Sequence, residues 1–205
     1  MTRPANPLLP ERILDKAEEI VAAGGHLSLN MRRLAEKVGI TSTTLYYYFD
    51  SKEHLLLQLK LRIAWQINAK IHQIDASWEP RRAIRALGEA YISFAEENPQ
   101  LYKLYMETMP DPSSLESEED RAAMHYSYHA AQSGLERLAA HGLYKHEPRI
   151  GALKGWILLH GFVSLLIAGT LERVAGLSRD ELRKVFLDGY VDAVYGSAGT
   201  PPRSL

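Results

Sequence analysis

The side chains best suited to meeting a polyanion gather between Asn30 and Lys52, in the run NMRRLAEKVGITSTTLYYYFDSK. Thr43, Thr44 and Tyr47 fall along one short predicted helix. From there a Thr methyl can touch thymine and a Thr hydroxyl can bond several base edges. That helix holds no Arg, Gln or Asn, so direct readout from it would rest on few bidentate contacts. Arg32, a little upstream, suits guanine or phosphate. Lys52 falls in the first turn of a further predicted helix, where a cation opposes the macrodipole. A phosphate docked at that helix start would account for it; the plainer reading is an ordinary exposed lysine. Tyr46, Tyr47 and Tyr48 cannot share one face, because successive helical residues point about 100° apart. We read Tyr48 and Phe49 as packing inward with Leu45, and Tyr46 and Tyr47 as the exposed pair.

These residues need two helices and a tight turn to hold them. Arg32, Leu34, Ala35 and Val38 suit the first helix, with Asn30 as its N-cap, because an Asn side chain accepts a bond from an otherwise unpaired amide. Gly39 supplies a position that tolerates positive φ. Thr41 or Ser42 caps the second helix. Ala35 lies four residues before Gly39 and Leu45 six after it. A small residue, a turn glycine and a buried aliphatic at that spacing let two helices cross closely, which predicts a helix-turn-helix whose second helix enters the major groove.

A second group of side chains suits an apolar or aromatic small molecule: Tyr102, Tyr105, Met106, Met109, Tyr126, Trp156 and His160. Aromatic and thioether groups with a few polar tips make such pockets, although the same stripes also make ordinary core. His125 and His129 stand four apart and could meet a metal on one helix face, but no HExxH and no carboxylate at a telling spacing joins them. We read them as a surface pair and expect no metal and no cofactor. No Gly-rich phosphate loop, nucleophile elbow or carboxylate pair stands out, so the expectation is no enzyme.

With no cysteine in 205 residues, disulfides, thiolate metal sites and cysteine nucleophiles are excluded. A reducing cytoplasm suits that, and no cleavable signal sequence is expected from a start with three prolines in its first ten residues. The chain is 46% apolar and 24% charged, an ordinary globular balance. Net charge is −1, but residues 1–62 hold nine Lys/Arg against seven Asp/Glu, and the remainder fifteen against eighteen. The positive excess lies with the helix-turn-helix.

The fold class expected is all-α, a three-helix DNA-binding domain followed by a helical bundle for ligand binding and dimerisation. The boundaries drawn are a tail at 1–9, the DNA-binding domain at 10–56 with its motif at 30–49, the regulatory domain at 57–197 and a tail at 198–205. A first helix runs from about Pro10 to Ala23. Asp50 and Ser51 start the fourth, with Asp50 and Glu53 at capping-box spacing, and it continues to about Ile74. Residues 155–171, GWILLHGFVSLLIAGTL, are almost wholly apolar. His160 in their midst and charged flanks favour a helix buried in a bundle and a subunit interface over a membrane span. The last two helices, with Gly155, Gly161, Gly169 and Gly189, are the expected homodimer interface. Ser178 and Glu181 form a capping box before the final helix.

The run LAEKVGITSTTLYYYFDSKEHLL resembles the DNA-binding segment of the TetR (tetracycline-repressor-like) family. The resemblance is carried by Leu34-Ala35, Gly39-Ile40-Thr41, Leu45-Tyr46, Phe49 and Lys52-Glu53-His54-Leu55. Thr43 departs from it, standing where many members have Gly. Trp156-x-x-x-His160-Gly161 is similar to the WHG class of TetR-like C-terminal domains. The resemblance implies DNA contact at Arg32, Ser42, Thr43, Thr44, Tyr46, Tyr47 and Lys52, and Thr41 beside them completes the candidate set. It implies a homodimeric, ligand-responsive regulator, a repressor in the usual case, on a palindromic double-stranded DNA operator. The reading from another class is a helical ligand-binding or enzymatic bundle that keeps a vestigial helix-turn-helix.

Overall fold

The computed structural model describes residues 7–74, 77–107, 115 and 117–195. Every regular element among them is helical: α1 (Leu9–Gly24), a 3-10 turn (His26–Ser28), α2 (Met31–Val38), α3 (Ser42–Tyr48), α4 (Lys52–His72), α5 (Pro80–Glu97), α6 (Pro99–Glu107), α7 (Glu118–Ala140), α8 (Pro148–Ile167), α9 (Thr170–Ala175) and α10 (Arg179–Tyr195). They group into two compact units. The division does not follow the linear boundary at residue 56: the first unit reaches Trp65 and also takes in Asn98–Arg121, while Gln66–Glu97 and the chain from Ala122 form the second.

In the N-terminal unit local chemistry sets each boundary. The Asn30 side chain accepts the Arg33 N–H at 3.1 Å. Gly39 takes the left-handed conformation, φ 78°, and lets the Ile40 N–H donate to the Ala35 carbonyl at 3.0 Å. Of the two candidate caps for α3, Thr41 is the one used; its Oγ1 accepts the Thr44 N–H at 3.1 Å. The start of α4 corrects the sequence reading. Ser51, not Asp50, caps it, accepting the His54 N–H at 3.0 Å, and His54 Nδ1 accepts from the Asp50 N–H at 3.3 Å where the capping-box spacing predicts a Glu53 carboxylate.

Ile13, Ala17 and Val21 of α1, Leu34 and Ala35 of α2, Leu45 of α3, and Leu55 and Leu59 of α4 form this unit's core, all essentially solvent-free. Each fully buried aliphatic there contributes about 1.5–3 kcal/mol. Arg62 of α4 reaches Glu11, Asp15 (2.6 Å) and Glu18 (3.4 Å) along α1. Burial works against its charge, but Asp15 and Glu11 outweigh that and hold its pKa above the ordinary value. α6 packs on α1 and buries Leu101, Tyr102, Leu104 and Tyr105.

In the C-terminal unit α5, α8 and α10 pack mutually. Two glycines allow α10 to come close. A Cβ on Gly88 would stand 2.9 Å from Leu187 Cδ2, and one on Gly155 would stand 3.2 Å from Val194 Cγ2. Arg85 pairs with Asp188 at 2.6 Å, Arg183 with Glu89 and Glu96 at 2.9 Å each, and Arg81 with Asp192, a ladder between α5 and α10. Asn68 Nδ2 donates to the Ala123 carbonyl at 3.0 Å, tying the end of α4 to α7. The Ser178–Glu181 box forms as expected, with Ser178 N–H donating to Glu181 Oε2 at 2.8 Å.

The apolar run does not continue as one helix. Gly169, at φ 64°, ends α8, and α9 is a separate short turn of helix closed by Gly176 at φ 67°. Two of the glycines assigned to a subunit interface therefore have other work: Gly155 serves packing within the chain and Gly169 serves the turn. A Cβ on Gly161 or Gly189 would meet no heavy atom within 4 Å, so both positions stay open. α8 is long and apolar enough to cross a membrane by length and composition. Ala152, Leu159, Val163 and Leu166 are nevertheless packed inside, and only its other side is open.

Candidate DNA interface and effector cavity

α2 and α3 pack against each other through Leu34, Ala35 and Leu45, and Leu45 is wholly buried. Burying it turns the rest of α3 outward. Ser42 and Thr43 are exposed, Thr44 is half-buried, Tyr46 is 46% exposed and Tyr47 75%. Tyr48 is half-buried and Phe49 buried. Thr41 is exposed at the cap, its hydroxyl 2.9 Å from that of Thr44. Arg32 lies on the exposed side of α2, its Nε 3.2 Å from Glu36 Oε1. Glu36 escaped the sequence reading, although its spacing of four from Arg32 was the signal available.

Lys52 is the first residue of α4 and half-buried. It has no hydrogen-bonded or ionic partner among the described residues. A cation there faces the positive end of the helix. All eight candidate DNA residues thus belong to the N-terminal unit, on α2, the turn, α3 and the start of α4. The surface offers hydroxyls, two phenols and separated cations, which suits phosphate positioning and base contact together.

The C-terminal unit contains a cavity of about 650 Å³. Leu87, Tyr91, Leu135, Leu159, Tyr190 and Val194 give it an apolar depth, and each except the half-buried Leu87 is closed off from solvent. Burial pushes the Tyr190 phenol well above its ordinary pKa, so it stays neutral. Polar groups sit nearer solvent: Tyr126, its hydroxyl 2.9 Å from His72 Nδ1, with His129, Arg137 and His141. That volume and lining suit a small, largely apolar ligand.

Of the seven residues assigned to a ligand from sequence, Tyr126 and Trp156 line this cavity. His160 does not line it; its ring stacks on Trp156, centroids 6.1 Å apart, and burial lowers its pKa. Tyr102 and Tyr105 are buried core of the N-terminal unit, where α6 meets α1, and Met106 is half-buried on the same helix. An apolar stripe on a helix states that it will be covered, not by what, and here neighbouring side chains cover it. Met109 lies outside the described residues. Tyr91, Leu159 and Tyr190, legible only as helix faces, are walls that the sequence reading missed. The His125 and His129 rings stand 6.2 Å apart, and no cluster of three metal-ligating side chains occurs among the described residues.

Residues 13–59 match the family described as bacterial regulatory proteins, tetR family, and residues 84–190 match the tetracyclin repressor-like C-terminal domain. The chain belongs to the TetR family. This TetR-family protein is 28% identical over 174 residues to an uncharacterized HTH-type transcriptional regulator of Mycobacterium tuberculosis, covering 85% of this chain and 77% of the relative. Over 60 residues, 29% of each chain, it is 42% identical to the HTH-type transcriptional repressor KstR of Mycolicibacterium smegmatis. Its fold is similar to that of a protein of unknown function from Rhodococcus sp. RHA1, with a TM-score of 0.78, 22% identity, and coverage of 95% of this chain and 100% of that one. It is a DNA-binding transcriptional regulator.

Proposed function

We propose that the protein is a ligand-responsive repressor that acts as a homodimer on a palindromic operator in the cytoplasm. The observation that carries this is the outward face of α3, with Thr43, Tyr46 and Tyr47 in solvent while Leu45 anchors the helix beneath them. Thr41, Ser42, Thr43, Thr44, Tyr46 and Tyr47 meet the major groove, and Arg32 and Lys52 take phosphates or a guanine. Repression is favoured because the relative KstR is named a repressor.

One such head binds weakly, and a two-fold dimer reads two half-sites. The open side of α8 with α10 supports pairing there. Ile157 is 56% and Val185 64% exposed, Leu158 and Leu165 are exposed too, and Phe162 stacks on Phe186 with centroids 4.0 Å apart. Open Gly161 and Gly189 permit close approach of a second copy. An exposed apolar patch of this kind marks an interaction surface.

A small apolar or aromatic effector occupies the cavity against Tyr126 and Trp156. α4 carries Lys52 at its first turn and the cavity-lining Ile71 and His72 at its last. An effector shifts DNA affinity only if it binds the two arrangements of α4 unequally.

A mobility-shift assay of the full chain on duplex flanking its own gene tests the proposal. A shifted complex is expected, with Lys52→Ala weakening binding on every sequence and lowering the salt slope by about one. A chain that shifts no duplex, or a Lys52→Ala variant with the wild-type salt slope, would overturn it.

A further inference from the structure

The reading helix offers an unusual set of groups. α3 spans Ser42–Tyr48, STTLYYY, and every polar group it presents is a hydroxyl. Bidentate reading takes a cationic side chain for guanine and a side-chain amide for adenine, and the cytosine amino group donates to a carboxylate. α3 contains none of these. Its hydroxyls are also partly engaged. Thr41 Oγ1 accepts the Thr44 N–H at 3.1 Å and lies 2.9 Å from Thr44 Oγ1, so the two hydroxyls are bound to each other and to the cap. With its hydroxyl engaged, the half-buried Thr44 side chain has its methyl left for an apolar contact.

Tyr47 stands in solvent, and its ring is held edge-on to Tyr48, centroids 5.1 Å apart and planes at 90°. Thr43 and Thr44 precede Tyr47 by four and three residues, so their methyls and its ring share one strip of the helix. Arg32, the cation on α2, is held by Glu36 at 3.2 Å. The apolar feature of the major-groove edge is the C5-methyl group of thymine.

We infer that α3 reads thymine methyl groups through Thr43, Thr44 and Tyr47, and that the half-site beneath it is built of A·T pairs. This rests on the DNA-binding reading and adds the class of base. Hydroxyl contacts to bases are tolerant of sequence, whereas a methyl contact separates thymine from cytosine at the same position.

The test selects duplexes with a randomised core on the full-length protein, then replaces each thymine of the selected half-site by deoxyuridine. That change removes one methyl and keeps the base pair. The expected result is a run of A·T pairs in each half-site and a loss of about fourfold per contacted methyl, the worth of one buried methyl group. Thr44→Ser keeps the hydroxyl, hence its contact with Thr41 Oγ1, leaves the main-chain N–H of the cap bond in place, and drops the methyl. It should weaken the thymine duplex by a similar factor and abolish the deoxyuridine penalty at one position. Half-sites of G·C pairs, or deoxyuridine duplexes bound as tightly as thymine ones, overturn the inference and leave the DNA-binding reading standing. Failure to enrich any duplex overturns both.

Discussion

The N-terminal and C-terminal units are made of the same helices but are finished to different degrees. The first buries Ile13, Leu34, Leu45 and Leu59 completely and turns its hydroxyls and cations outward. The second has a half-open cavity of about 650 Å³ and leaves Ile157, Leu165 and Val185 in solvent. A unit that must present fixed groups to a rigid duplex gains from dense packing. In the proposed reading the second unit uses its void for a ligand and its uncovered face for a second copy.

Truncating one leucine in each unit probes this difference in packing. Leu45→Ala should destabilise the N-terminal unit by about 2–5 kcal/mol, because its neighbours surround it on every side. Leu159→Ala should cost less, since one side of Leu159 already borders empty space. Chemical denaturation measures both, and equal losses would remove the distinction. The next effect is on assembly. Ile157→Glu places a charge in the open face of α8 and should yield monomers by sedimentation. DNA affinity should then fall about tenfold to a hundredfold, 1.4–2.8 kcal/mol. A dimer of unchanged affinity would move the interface elsewhere.

A smaller effect distinguishes the units by pH. Burial lowers the His160 pKa, so below its ordinary value the folded chain binds fewer protons than the unfolded one. Stability should decline as pH drops through about 6.5 and level off below the lowered folded value. His160→Gln should flatten that part of the curve in thermal denaturation from about pH 7.5 to 5. Arg62, the central charge of the N-terminal unit, is held raised and does not titrate in that range. The smallest effect is at Glu36. Glu36→Gln frees Arg32 from an exposed pair of the i,i+4 type and should tighten DNA binding about twofold, read by fluorescence anisotropy.

The parts legible in the sequence were those settled within a few residues. Asn30, Gly39, Thr41 and the Ser178–Glu181 box each obey a local rule of hydrogen bonding or backbone sterics. Where two local solutions compete, spacing alone cannot choose: Asp50–Glu53 and Ser51–His54 both have capping geometry, and the serine took the amide. The break at Gly169 was hidden because the residues leading up to it are almost wholly apolar. Tyr102 and Tyr105 look like pocket walls from their own helix, yet both are buried in the N-terminal unit, where α6 packs on α1. Which stripe faces a void is decided by side chains far away in sequence, such as Leu159 and Tyr190.

In the proposed complex, two outward-facing α3 helices, paired through the C-terminal unit, read one operator. Measuring stoichiometry and affinity on a palindromic duplex, before and after inserting half a helical turn, about five base pairs, between the half-sites tests it most directly. Two chains per duplex, and a loss of at least about tenfold on insertion, are the predicted results. One chain per duplex, or an affinity indifferent to the insertion, would contradict it.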